Sequence, residues 1–552
     1  MNARSWWGWG SRDQVVDPVG VAKLVSPFLP LDGIVTPIPE IPDLRRPRIK
    51  AAGRNGRQER PQEAGAQGRG KPEDGASQQD LWSDDPWQRA AHTHGKAYRD
   101  VVRNLRGELA NPPDLICFPR NEDDVIRVVE WAYDANVAVI PFGGGTSVVG
   151  GVEFRNLDQP FVSLDLTGMN AILEVDEVNL AMRSQAGILG PAIQDGLRPN
   201  GLALRHFPQS FEFSTLGGWI ATRAGGHFAT GQTHIDDFIE SLRVITPMGV
   251  SESLRVPASG AGPSPDRLFL GSEGALGVIT EAWVRVQRAP LFRASASVRF
   301  EDFGHAVQAT REIAQSGLMP ANCRLLDPLE SMLAAGAADG ASVLLLAFES
   351  ADHPVAHALE RATEICRSHG GKPAETERQG RPESQAQGRQ GPRGTPATGE
   401  ARTVQASWRD TFLRAPYLRD ALARLGVVVE TFETACTWSA FPKLHEAVIE
   451  ALSPAIVTCR FSHVYPDGPA PYFTVYAAGR RGGELEIWDE LKGRASEALL
   501  ANGGTITHHH AVGRDHAPWY SRQSPQPFRE MLRAAKAAVD PRHLLNPGVL
   551  GI

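Results

Sequence analysis

Residues 141–151 read PFGGGTSVVGG. A short apolar run, VAVIP at 137–141, delivers the chain into three consecutive glycines followed by Thr146 and Ser147. Its length and composition predict a buried strand. Glycines at the end of a strand let backbone N–H groups crowd onto an anion, an approach that a side chain would block. The stretch is not a P-loop, because no GKS or GKT follows, and it lacks the GxGxxG spacing of a dinucleotide fold. Taken alone, a glycine-rich turn with no ligand explains it equally well.

Two further segments widen the reading. Residues 208–249, PQSFEFSTLGGWIATRAGGHFATGQTHIDDFIESLRVITPMG, set Gly217, Gly218, Gly225, Gly226 and Gly231 among serines and threonines, and GSEGALGVITEAWVRV begins at Gly271. Three such clusters, each beside strand-like apolar residues, fit one extended phosphate-bearing cofactor touched at several points. Around them helices and strands mix. Asn121 is placed to cap a helix whose Val125, Val128, Val129 and Ala132 follow helical spacing. FVSLDLTGMNAILEVD at 161–176 reads as two strands about a glycine turn, FGHAVQATREIAQSG as a helix, ASVLLLAFES as a strand and FREMLRAAKAAVD as a final helix.

The chain has 552 residues, room for two or more domains. Its 41% hydrophobic and 22% charged content fit a soluble globular protein. A net charge of -7 argues against a nucleic-acid surface. Cys117, Cys323, Cys366, Cys436 and Cys459 form no CxxC pair, so no zinc ribbon or redox dithiol is supported. No secretory signal is expected from MNARSWWGWGSRDQ, and no apolar run reaches the roughly 18 residues a membrane span needs. Trp6, Trp7 and Trp9 suit either an arm packed on the body or a lipid interface. Residues 51–80 and 372–405 are rich in Gly, Pro, Gln and charge with few large apolar side chains, and are expected to be disordered.

The order PFGGGTS, STLGGWIATRAGG, GSEGALGVIT and a terminal LLNPG resembles the vanillyl-alcohol-oxidase (PCMH-type) family of FAD proteins. The resemblance implies an α+β fold: a two-subdomain FAD-binding domain plus a cap domain with an antiparallel sheet flanked by helices. It implies an N-terminal arm at 1–50, a linker at 51–80, the FAD domain at 81–290, the cap at 291–510 interrupted by 372–405, and a segment at 511–552 returning to the FAD domain. By the same resemblance Phe142, Gly143, Gly144, Gly145, Thr146, Ser147 and Val148 wrap the pyrophosphate. Pro208, Gln209, Ser210, Phe211, Glu212, Phe213 and Ser214, with Ala221, Thr222, Arg223 and Ala224, line the flavin and ribityl chain. Glu273, Gly274, Ala275, Leu276, Gly277, Val278 and Ile279 close the adenine side. The PFGGGTS loop holds no His or Cys, so FAD is expected to bind non-covalently.

Near the end, where hydroxy-acid dehydrogenases of the family commonly carry an EHGxG-like stretch, this chain reads HHHAVG. That run resembles the alkyldihydroxyacetonephosphate synthase branch, with Ala511 where its motif usually continues in Gly. FLRAPYLRD places Arg419 at that branch's substrate-phosphate arginine, FSHVYPDGPAPYF places Tyr472 at its catalytic tyrosine, and NCRLLD places Arg324 at a further active-site arginine. The resemblance implies exchange of the acyl group of acyl-dihydroxyacetone phosphate for a fatty alcohol through flavin N5, without net redox. Tyr472, His508, His509 and His510 would then handle protons, Arg419 would bind phosphate, and Arg324 would steady Tyr472 or the flavin. A fork-shaped guanidinium matches phosphate in a way lysine does not. Histidine suits repeated proton transfer near neutral pH.

Read without the resemblance, Arg419 pairs with Asp420 on a helix surface, Tyr472 is core, Arg324 sits in a structural ion pair, and the histidines lie in a solvated loop. Set in an extended strand, neighbouring histidines point to opposite sides and do not share one metal, so no metal site is expected. The competing functions are an FAD-dependent 2-hydroxy acid dehydrogenase or oxidase acting on D-lactate, glycolate or D-2-hydroxyglutarate, and a flavin-binding protein without catalysis. A cytoplasmic location with peripheral membrane contact and a homodimer are compatible with the synthase branch.

Overall fold

Asn121 opens the first regular unit of the body. Its side chain accepts a hydrogen bond from Asp124 N at 2.9 Å and starts the helix Glu122–Ala135, a cap worth about 1 kcal/mol. Val125, Val128, Val129 and Ala132 are buried, and Asn136, with φ at 57°, ends the helix in the left-handed region. The computed structural model describes residues 4–49, 81–337, 339–379 and 404–552. The expected linker at 51–80 lies outside them, as does most of the expected insertion.

The helix is enclosed by a small parallel sheet. Strand β1 (Leu115–Cys117), β2 (Ala138–Phe142) and β3 (Phe161–Asp165) run in spatial order β1-β3-β2, with Trp82–Ser83 added antiparallel at the β1 edge. β4 (Ile172–Asp176), β5 (Ala181–Gln185), β6 (Ile239–Thr246), β7 (Gly249–Glu252) and β8 (Val278–Arg285) form an antiparallel sheet in the order β4-β5-β8-β6-β7. The two strands read from 161–176 therefore part company at their glycine turn and enter different sheets.

A third, seven-stranded sheet is antiparallel throughout. It comprises β9 (Phe292–Phe300), β10 (Asn322–Leu326), β11 (Ser342–Ser350), β12 (Lys372–Gln379), β13 (Val427–Glu433), β14 (Ile456–Val464) and β15 (Pro469–Ala478), ordered β12-β9-β11-β10-β14-β15-β13. Helices Phe303–Gln315, Ala356–Ser368, Phe441–Leu452 and Glu484–Ala501 pack apolar residues onto it in the largest core of the molecule. The molecule is thus α+β, with two small sheets and a two-stranded pair, Leu202–Ala203 with Gln287–Arg288, beside an antiparallel sheet flanked by helices. β12 corrects the expectation of disorder from residue 372. Residues 372–379 pair with β9, and an edge strand can be polar because its ladder bonds come from the backbone; residues 380–403 lie outside the described residues.

Both ends of the chain are tied into this frame. Trp6, Trp7 and Trp9 are buried, with Asn104 Nδ2 donating to Trp6 O and Trp7 O and Trp9 N donating to Asp420. The tryptophans pack the arm on the body instead of meeting lipid. At the other end Val139 N donates to Leu544 O, Asn546 N donates to Val139 O, and the buried Lys536 ammonium donates to Ala275 O and Leu545 O.

Candidate active site

A cavity of about 720 Å³ begins where β2 ends. Phe142, Gly143, Gly144, Gly145, Thr146, Ser147 and Val148 all line it. Glycine is needed at its tightest points: a Cβ on Gly144 would lie 1.9 Å from Phe213 O, and one on Gly143 2.2 Å from Thr215 Oγ1. Among the described residues, the N–H groups of Gly144, Gly145 and Thr146 donate to nothing in the chain. Pro208, Gln209, Ser210, Ser214, Ala221, Thr222, Ala224, Glu273, Gly274, Gly277 and Ile279 continue the wall.

These features fit FAD. Unspent amide donors suit a diphosphate, and buried cations stand beside them. Arg4 donates to Gly144 O and Phe213 O from the N-terminal arm, and burial brings its guanidinium down to about 10. Lys96, whose N donates to Ser147 O, is brought down to about 8, chiefly by burial and then by Arg4.

Several expected cofactor residues serve the frame instead. Arg223 turns away to pair with Asp236 at 2.8 Å. Phe211 stacks on Trp219, Phe213 meets Trp9 edge-on, and Glu212 is off the wall. Ala275, Leu276 and Val278 pack into the cores beneath. Glu273 lines the cavity, yet its carboxylate accepts from Val512 N and Gly513 N, fastening the C-terminal segment. Burial pushes that carboxyl up to about 7 against those two bonds.

Across the cavity stands β15. Its alternation turns Tyr472, Thr474 and Tyr476 to the cavity and Phe473 and Val475 to the core. Tyr472 is paired in register with Glu433 of β13 on one side and Arg460 of β14 on the other. The Arg460 guanidinium lies 3.9 Å from the Tyr472 ring centre, and its Nη1 donates to Glu330 at 2.6 Å. Burial raises the Tyr472 phenol and Arg460 lowers it. Arg460, and not Arg324, thus covers the tyrosine, which leaves the flavin as the other partner expected of Arg324. Arg324 lines the cavity farther on, fully buried, with Nη1 3.4 Å from His227 Nδ1 and Nη2 3.4 Å from Ser462 O.

The histidine run is neither a strand nor solvated. It curls around Glu433, whose buried carboxylate accepts from the N–H groups of His508, His509 and His510 and from Thr507 Oγ1. Burial alone would raise the Glu433 carboxyl, but His509, His510, His508 and Thr507 hold it well below the usual range. The rings of His509 and His510 face the cavity beside Tyr472, at 6.2 and 5.5 Å between ring centres, while His508 lies behind them. Burial lowers all three imidazoles, His509 to about 3, and the Glu433 charge opposes that. They are therefore neutral near pH 7.

The curl also overturns the strand-based argument against shared ligation, since ring nitrogens of His463, His508 and His509 lie within 4.8 Å of one another. Several ring nitrogens of the three are engaged in hydrogen bonds: His463 Nε2 with Gly226 O, His508 Nε2 with Tyr465 Oη, and His508 Nδ1 with His509 Nδ1.

Arg419 sits on the helix Val404–Arg424 and lines the same cavity. It pairs with Asp420 at 2.8 Å and donates to Lys96 O, so the expected acid partner is present but the pair lies inside the molecule and not on a helix surface. Sequence reasoning missed Arg4, Glu330, Glu433, Arg460, His463 and Tyr465. Of these, His463 and Tyr465 stood inside the quoted FSHVYPDGPAPYF, and a search for charged residues within strand-like runs would have raised Glu433.

A glycine-lined cradle with buried cations, facing an antiparallel sheet that carries the proton-handling side chains, defines an FAD-linked oxidase-type flavoprotein. The family described as "FAD binding domain" matches residues 113–254, and "FAD linked oxidases, C-terminal domain" matches residues 289–550. The chain is 31% identical to alkyldihydroxyacetonephosphate synthase of Dictyostelium discoideum, over 85% of this chain and 78% of the relative. It is 31% identical to that of Trypanosoma brucei brucei, over 84% and 78%. Glycolate oxidase subunit GlcD of Bacillus subtilis (strain 168) is 27% identical over 79% and 88%. A solved alkyldihydroxyacetonephosphate synthase superposes with a TM-score of 0.76 over 99% of this chain and 98% of that one, at 24% identity, and p-cresol methylhydroxylase with 0.66 over 86% and 94%, at 17%. The chain belongs to the alkyldihydroxyacetonephosphate synthase family and is an FAD-dependent enzyme.

Proposed function

We propose that this chain exchanges the acyl group of acyl-dihydroxyacetone phosphate for a fatty alcohol, forming the ether bond of an ether lipid. The observation that carries the reading is the convergence of Tyr472, His509, His510, Arg324 and Arg419 with the FAD cradle on one cavity. Bound FAD supplies the electrophilic nitrogen at which the substrate carbon changes its oxygen substituent. His509 takes a proton from that carbon as a neutral base, and Glu433 offsets the charge that results. Tyr472, with Arg460 on its ring, assists the proton at the alcohol or the departing carboxylate. Arg419 binds the phosphate through the remaining N–H groups of Nη1 and Nη2, beside the bonds to Asp420 and Lys96 O. FAD is held non-covalently, consistent with a PFGGGTS loop free of His and Cys.

The remainder of the cavity suits alkyl chains. Val21, Leu24, Val25 and Phe28 of the arm and Leu329, Met332 and Leu333 of the helix Pro328–Ala335 line it. Leu24, Phe28, Leu329 and Leu333 are also exposed, an apolar rim that supports chain entry from a bilayer surface. No helix among the described residues is long and apolar enough to cross a membrane. The test is release of fatty acid from acyl-dihydroxyacetone phosphate by the purified flavoprotein. Release that depends on added fatty alcohol, with matching alkyl product, supports the proposal. Bleaching of the flavin by a 2-hydroxy acid, without exchange, overturns it.

A further inference from the structure

Behind the histidine loop, five side chains form one unbranched hydrogen-bonded chain. His509 Nδ1 lies 3.0 Å from His508 Nδ1, His508 Nε2 lies 2.8 Å from Tyr465 Oη, Tyr465 Oη 3.0 Å from Thr233 Oγ1, and Thr233 Oγ1 3.4 Å from His234 Nδ1. The chain ends with His234 Nε2 at 2.9 Å from His508 O. It joins the cap sheet and histidine loop to the glycine-rich segment before β6.

The last bond fixes the direction of all the others. A carbonyl only accepts, so His234 donates through Nε2, and its neutral ring then presents a bare Nδ1. Thr233 has one hydroxyl proton and gives it to that nitrogen. Tyr465 therefore donates to Thr233, His508 donates to Tyr465 through Nε2, and His508 Nδ1 accepts the Nδ1–H of His509. His509 is left with a bare Nε2, and His509 is the member of the chain that lines the cavity. His508, Tyr465 and Thr233 do not line it.

We propose that this chain is a proton relay that carries a proton from His509 to His234 and brings it back. The inference rests on the exchange reading above, in which one proton leaves the substrate carbon and one returns, so a proton must be stored between the two events. When His509 Nε2 takes the proton, its Nδ1 proton passes to His508 Nδ1. The His508 Nε2 proton passes to Tyr465, the tyrosine proton to Thr233, and the threonine proton to His234 Nδ1. Each inner group gives one proton and takes one. Only His234 ends with an extra proton and a positive charge, and no electrons move. The bond from His234 Nε2 to His508 O persists in both states. The reverse sequence restores the starting tautomers. His508, Tyr465, Thr233 and His234 are positioning and relay residues, since of the five only His509 meets the substrate.

Two measurements on the FAD-loaded full chain test this. In ¹⁵N-histidine spectra the wild type will show His509 protonated at Nδ1 and His508 and His234 at Nε2, and Tyr465→Phe will disturb His508 while leaving the flavin spectrum unchanged. In the exchange assay Tyr465→Phe and Thr233→Val will each lower kcat about 10- to 100-fold with KM unchanged, and the solvent deuterium effect on kcat will change from a multi-proton to a single-proton dependence. His508 protonated at Nδ1 in the wild type overturns the relay. So do variants with wild-type kcat and an unchanged isotope effect in an active enzyme. A wild type without exchange activity overturns the functional reading instead, and the spectra then still decide the hydrogen-bond order.

Discussion

Arg460 faces Tyr472 directly across the β14–β15 pair, its guanidinium 3.9 Å from the centre of the phenol ring. The cation is anchored at its far end by Glu330 at 2.6 Å. Neither group is on the surface, so their interaction acts where solvent screening is weak. Burial raises the phenol and the guanidinium opposes that rise, which ties the tyrosine's acidity to a residue on a different strand.

Replacing Arg460 with Met keeps the bulk over the ring and removes the charge. The expected outcome is a kcat at least about 10-fold lower with flavin content intact, and an alkaline limb of the pH–rate profile moved upward because the phenol loses its stabilising cation. Tyr472→Phe will lower kcat by about 100-fold or more and abolish that limb. Steady-state exchange kinetics across pH check both.

Arg419→Ala will raise KM for the phosphorylated substrate by about 10- to 100-fold, corresponding to loss of a charge-assisted bond of about 1.5–3 kcal/mol. Flavin absorbance per chain will be unchanged, because the contacts of Arg419 are to Asp420 and Lys96 O and not to the glycine loop. Arg419→Lys will recover only part of the loss, since an ammonium cannot hold Asp420 and a phosphate in one plane.

The glycine segments were legible because three adjacent glycines at a strand end mark a close backbone approach even before its partner is known; the partners themselves, Thr215 beside Gly143 and Phe213 O beside Gly144, come from a distant segment. The helix after Asn121 was legible for the same reason, as cap and periodicity lie within one stretch. Arg460, Glu433 and Tyr465 were not. Their importance comes from register, which sets Arg460 and Glu433 on either side of Tyr472, and from a loop that closes on Glu433 from 74 or more residues away. The curl of the histidine run is likewise dictated by a distant carboxylate collecting its N–H groups, so reading 508–510 as a strand failed through tertiary override of local pattern.

Ala511 follows the histidines with φ at 72°, a region in which a Cβ is strained and glycine is not. Ala511→Gly will therefore stabilise the protein by about 1 kcal/mol, read as a higher midpoint in chemical denaturation. Ala511→Val will destabilise it, as a branched side chain tolerates that backbone still less.

Arg4 links the arm to the cofactor loop through Gly144 O and Phe213 O. Arg4→Gln will weaken FAD binding by about 10-fold or more by removing a buried positive charge beside the diphosphate cradle. Titration of apoprotein with FAD measures it, and circular dichroism of the apoprotein will be unchanged.

His206 contributes to the acid sensitivity of stability. It is fully buried between Trp219 and Phe238, and neither ring nitrogen has a hydrogen-bond partner among the described residues. Burial brings it from 6.5 down to about 3, with His234 and His509 adding repulsion. The unfolded chain therefore binds a proton at His206 near pH 6.5 and the folded chain does not until about 3. Its contribution is complete above the unfolded value and is lost as pH falls through that window, at about 1.4 kcal/mol per pH unit. His206→Leu removes this titration while keeping an apolar fill between the two rings. Thermal midpoints measured from pH 7 to 4 will fall less steeply for His206→Leu than for the wild type, and parallel curves would show that His206 keeps its ordinary proton affinity in the folded protein.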